Sequence, residues 1–225
     1  MFPRFRILCA TLSVLSLGAS SGLAQTGTTQ VADHVEEDWQ VVIAEPDPDS
    51  TGPQITTCMS PVSGSSAFVA FCLNYRDVTD WKPGGLQIKA YGEPASSTQD
   101  RPLIASTTAH SESLETDDET ISWTQRIRVS SGYMSYAVHN GSSTTWGSFG
   151  LEQGNLVVIV PTSAQDLGSY NPADSVALSA AGWQANRVAS MKLLQVRYYQ
   201  GSTLLSTDDT PRAVKLTTAA SGTTP

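Results

Sequence analysis

The chain has 225 residues, with 13 Lys and Arg against 21 Asp and Glu and a formal charge of −8. That balance argues against nucleic acid and anionic lipid as partners, because both require a basic face. It suits solubility outside a cell, or a cation bound to clustered acids.

Met1–Arg6 carries two arginines and no acid, Ile7–Leu17 is mostly apolar, and Gly22 and Ala24 are small. This is the pattern of a secretory signal peptide over residues 1–24, cleaved before Gln25. The apolar run is shorter than the roughly 20 residues of a membrane-spanning helix, and no later run reaches that length. The expected product is secreted or extracytoplasmic (periplasm or cell surface), with no membrane span. Loss of Arg4 and Arg6 takes its charge from −8 to −10. Residues 25–35 read as a polar, disordered mature N-terminus, 36–217 as one domain and 218–225 as a flexible tail.

Short runs of β-branched and aromatic residues between turn formers predict twelve strands. They are Trp39–Ala44, Gln54–Met59, Ala67–Tyr75, Leu86–Tyr91, Leu103–Thr108, Thr120–Val129, Tyr133–His139, Thr144–Leu151, Leu156–Val160, Met191–Gln200, Thr203–Ser206 and Ala213–Thr217. The fold class expected is all-β, a single antiparallel β-sandwich of jelly-roll or concanavalin-like architecture.

Between the first two strands, Asp47, Asp49 and Thr51 place oxygens on alternate positions before Gly52, as a calcium loop does. The helices and the closing glutamate of an EF-hand are missing, and a Pro/Gly turn explains the same letters. Calcium is the one cofactor these letters suggest. In the next hairpin, symmetry about residue 65 sets Cys58 opposite Cys72, which predicts a cross-strand disulfide. Trp81 follows in a turn rich in Pro and Gly, and Gly92–Arg101 and Ser111–Glu119 read as exposed loops.

Asn140-Gly141 suits a two-residue type I′ hairpin, and Gln153-Gly154-Asn155 suits another turn, so residues 120–160 read as a four-stranded meander. With that register, Tyr133 and His139 share a face with Trp146, a polar-aromatic platform on which a sugar ring could stack. Asn171-Pro172 reads as a loop with a helical turn, Asn171 capping it. Gly201-Ser202 fits a type II′ turn.

Catalytic motifs are scarce. The only Gly-x-Ser-x-Gly lies at residues 18–22, inside the signal segment, and His34, His110 and His139 have no serine at motif spacing. No Glu-x-Asp-x-x-Glu pattern supports a glucanase, and the acids, including Glu36-Glu37-Asp38, read as solvated surface. The expected function is an exported non-catalytic binding or surface module with an extracellular glycan or cell-surface polymer as partner. The expected ligand residues are Trp146, Tyr133, His139 and Trp81. The alternatives are a carbohydrate-active enzyme with loop-borne carboxylates, and a structural envelope or assembly protein.

Overall fold

A computed structural model describes residues 30–47, 53–63, 68–75, 84–91, 103–106, 110, 112–150, 156–182 and 184–216. Two antiparallel sheets face each other across an apolar core. The larger runs β12 (Thr203–Asp208), β11 (Val188–Gln200), β1 (His34–Ile43), β6 (Glu119–Ser130), β7 (Tyr133–Ser143), β8 (Gly147–Phe149). Strand β13 (Arg212–Ala213) also pairs with β11, and β9 (Val157–Pro161) also pairs with β7. The smaller runs β10 (Ala180–Ala181), β2 (Ile55–Met59), β3 (Phe68–Tyr75), β4 (Gly84–Tyr91), β5 (Leu103–Ser106). The expected all-β sandwich is the observed architecture.

Strict alternation builds the core. Along β1 every second residue is buried, so Val35, Glu37, Trp39, Val41 and Ile43 point inward. Trp39 and Trp123 stack with ring centroids 6.5 Å apart, and Phe71 of the opposite sheet meets Trp123 edge-on at 5.5 Å. Aromatic rings of this size dominate the burial energy of a sandwich, and they set the separation of the two sheets. Strand β1 begins at His34 rather than at the expected Trp39.

The one α-helix among the described residues, α1 (Pro172–Leu178), starts as its letters suggest. Asn171 Oδ1 accepts from the Ala173 N–H at 3.1 Å, and Pro172 takes a first-turn position that needs no N–H donor. The helix ends in extended backbone at Ser179, whose hydroxyl accepts from the Cys58 N–H at 3.1 Å before β10 joins β2.

Two expectations about pairing fail. The β2–β3 register sets Cys58 against Ala70 and Cys72 against Thr56, so the cysteines are diagonal rather than opposed. Diagonal positions lie about 7–8 Å apart, beyond disulfide reach. Both cysteines are free and buried. The expected disulfide is therefore absent, because the hairpin is two residues out of the assumed register.

Nor does Asn140-Gly141 turn a hairpin. The turn after β6 is Ser131-Gly132, both at positive φ, and β7 then runs straight through to Ser143. Asn140, at φ 53°, sits in a bulge where β7 gains one residue on β6 between the pairs Thr124↔His139 and Ser122↔Ser142. The same left-handed chemistry that suits a type I′ turn also suits a bulge. It splits the free edge of β7 between two partners, β9 on residues 133–137 and β8 on residues 141–143. The meander is thus broken after β8. Residues 153–155 lie outside the described residues. Gly201-Ser202 does make the two-residue turn between β11 and β12, with Gly201 at φ 59°.

Candidate functional site

The acidic run read as solvated surface is instead part of β1, and alternation divides it. Glu37 points into the core with no exposed surface. Trp39 Nε1 and Gln125 Nε2 donate to its Oε2 at 2.9 and 2.7 Å, and Tyr170 OH donates to its Oε1 at 2.5 Å. Gln125 Oε1 in turn accepts from Thr57 Oγ1 at 2.8 Å and Tyr136 OH at 3.0 Å. Burial pushes the Glu37 carboxyl above its ordinary range against these donors. Four elements are tethered here: β1 and β6 of the larger sheet, β2 of the smaller, and the segment leading to α1.

Glu36 and Asp38 point the other way, onto the outer face of the larger sheet. Arg197 reaches Glu36 Oε2 at 3.1 Å and Asp38 Oδ2 at 2.5 Å, and Thr124 Oγ1 donates to Asp38 at 2.7 Å. His34 Nε2 and His139 Nε2 converge on Glu36 Oε1 at 3.3 and 3.6 Å. The His34 imidazole first, and the Arg197 guanidinium after it, hold Glu36 down at about 2, against the opposing pull of burial. Desolvation lowers the His139 imidazole. His34 also stacks on Tyr199 at 4.7 Å.

The strand register orders the rest of this face in rows. Ser130, Tyr133 and Pro161 form the first, and Arg128, Ser135 and Ile159 the second. Arg126, Ala137 and Val157 form the third, and Thr124 and His139 the fourth. Tyr133 is 56% exposed and Ile159 58%. Tyr133 and His139 do share a face, as expected, but six residues of strand separate them by about 20 Å. They cannot form one sugar subsite.

Trp146 does not belong to this face at all. It is 5% exposed, in the turn between β7 and β8, and its Nε1 donates to the Glu112 carbonyl at 2.8 Å. Its indole covers Gly85 of β4 so closely that a Cβ there would lie 2.3 Å from Nε1. The platform expected around Trp146 is corrected: the bulge at Asn140 shifts the register and turns the indole inward across the end of the sandwich. Trp81 lies outside the described residues.

Asp47 accepts from Gln184 Nε2 at 3.1 Å and stands 3.9 Å from the Arg187 guanidinium. Asp49 and Thr51 lie outside the described residues. Among the described residues no three His, Cys, Asp or Glu side chains are placed to hold a metal ion. Nor does any described helix have the length and apolarity to cross a membrane. A groove of about 290 Å³ opens beside Val31, Leu167, Tyr170 and Tyr198, but the Tyr170 hydroxyl is already committed to Glu37 and Ser175.

The two-sided use of Glu36-Glu37-Asp38 was the signal missed in the sequence. Residues 34–43 alternate if Glu37 is counted as buried, but a charged residue on the apolar side of a pattern reads as a break. Comparison with known protein families, with curated proteins and with solved structures returned no match to this chain.

Proposed function

We propose that this is an exported, non-catalytic binding module whose ligand face is the outer surface of the larger sheet, and that the ligand is a glycan. The observation that carries the reading is the exposed ring of Tyr133, set beside the small residues Ser135 and Ala137 and the polar column of β6. An open aromatic face flanked by hydrogen-bonding groups suits the mixed apolar and polar surface of a sugar. Acid chemistry is poorly served by the carboxyls described. Glu36 is held ionised near 2, and the raised Glu37 is sealed from solvent.

A glycan array probed with the secreted protein and with Tyr133→Ala tests this. The variant should fold and melt as the parent does while losing most glycan signal. Unchanged array binding, or none by the parent, refutes it.

A second reading, assembly with further copies, draws on the exposed Val157 and Ile159 of the short strand β9. Sedimentation of the parent and of Ile159→Lys separates the two: a concentration-dependent oligomer abolished by the lysine favours assembly.

A further inference from the structure

On the outer face of β6, Arg126 and Arg128 stand in adjacent rows, about 7 Å apart along the strand. Neither guanidinium has an ion pair or a side-chain hydrogen bond among the described residues. The contrast with Arg197 is sharp, since that residue is shared between Glu36 and Asp38 on the same face. Across β7 from the arginines lie Ile159 and Val157 of β9, and Tyr133 stands on β7 itself, one row beyond Arg128. The intervening β7 residues, Ser135 and Ala137, are small, so the two taller columns flank a channel with Ser135 as its open floor. Its walls stand two strand spacings apart, about 10 Å.

We propose that this channel binds an acidic glycan, a polyuronate or similarly carboxylated chain, and this rests on the glycan-binding reading above. Each guanidinium offers a planar fork that matches a carboxylate. Tyr133 supplies the face on which an uncharged ring surface stacks, and the Ser135 hydroxyl reaches ring oxygens between them. The whole chain carries a charge of −8, so a polyanion is repelled at long range. Unpaired cations in adjacent rows, next to the row of an open aromatic ring, therefore supply local recognition. An acidic peptide would use the arginines but would leave the ring unexplained, and for that reason the glycan is favoured.

Calorimetric titration of the secreted protein with polygalacturonate, with its methyl-esterified form and with polyglutamate decides the matter. Polygalacturonate should bind, and more weakly as salt is raised. The esterified polymer, which keeps the sugar and loses the charge, should bind at least about tenfold more weakly. R126Q/R128Q should lose the same factor toward the acidic polymer with an unchanged circular dichroism spectrum, whereas K215Q should change nothing. Equal affinity for both polysaccharides overturns the acidic class and leaves the glycan reading standing. Failure of these and of every arrayed neutral glycan overturns both. Polyglutamate bound as tightly as polygalacturonate, and lost in the same double variant, overturns the proposal in favour of an acidic protein partner.

Discussion

At the scale of single residues, Glu37 is the most consequential side chain in the molecule. Its carboxyl has three donors and no exposed surface, and its raised pKa has a definite sign. The folded state holds this proton more tightly than the unfolded chain does. The carboxyl therefore favours folding most below the unfolded value of 4.5, and that contribution is lost as pH rises toward the raised folded value. Glu37→Gln can still accept from Trp39 and Gln125 while donating to the Tyr170 oxygen, so it should fold. Urea melts at pH 5 and pH 8 should show the parent losing more stability between them than the variant; parallel losses would refute the assignment. Glu37→Leu instead orphans the donors, each at about 1–3 kcal/mol. Glu36 has the opposite sign. Its folded value near 2 contributes stability that is present above 4.5 and lost as pH falls from there through about 2. Glu36→Gln should flatten the acid limb of the stability profile over that window, and an unaltered limb would show the ion pairs with His34 and Arg197 to be worth nothing.

At the scale of elements, closure of one end of the sandwich depends on two glycines covered by two aromatic rings. Trp146 lies on Gly85, and Phe149 lies so close to Gly141 that a Cβ there would meet its ring at 2.2 Å. The rings meet each other edge to face at 6.3 Å. Glu119 holds the connecting turn, accepting from the Thr145 N–H at 2.9 Å, the Thr145 hydroxyl at 2.7 Å and the Ser143 hydroxyl. Trp146→Ala should therefore cost about 3–5 kcal/mol in chemical denaturation rather than leave stability intact. A loss below about 1 kcal/mol would show that the indole is dispensable. This end of the molecule also shows where sequence reading stops. Strand existence was legible from β-branched and aromatic runs, and so were the α1 cap at Asn171 and the turn at Gly201-Ser202, because each depends on local backbone chemistry. Register was not legible. Asn140-Gly141 has the same conformational freedom in a bulge as in a turn, and only the long-range partners Phe149 and Ser122 choose between them. Of the expected ligand residues, Tyr133 was found on an exposed face by period-two counting from within its own strand. The position of Trp146 is not legible in the same way, because counting to it from Tyr133 crosses the bulge at Asn140.

At the scale of the whole molecule, the buried polar cluster does what an apolar core cannot. Apolar side chains tolerate sliding, whereas Thr57, Gln125, Glu37 and Tyr170 hydrogen-bond in one arrangement that fixes β2 against β1 and β6. Loop-borne α1 is tied to the same cluster through Ser175, whose hydroxyl lies 2.9 Å from that of Tyr170. The diagonal cysteines give this fixation a temporal meaning. Sliding β3 by two residues along β2 would keep every side chain on its own face, so the apolar pattern barely opposes it, and it would bring Cys72 opposite Cys58. In the native fold both thiols are inert, since burial pushes Cys58 up to about 12 and Cys72 to about 11. In an unfolded chain they have no such protection, and an oxidising compartment would convert the slid hairpin from a transient error into a covalent dead end. Refolding of the reduced chain in oxidised glutathione should thus accumulate a compact, disulfide-linked species that resists conversion to native protein, whereas Cys72→Ser should refold completely under the same conditions. Full recovery of the parent with two free thiols would show that the sheets align before the sulfurs meet, making assembly a race that the hydrogen bonds of the core win.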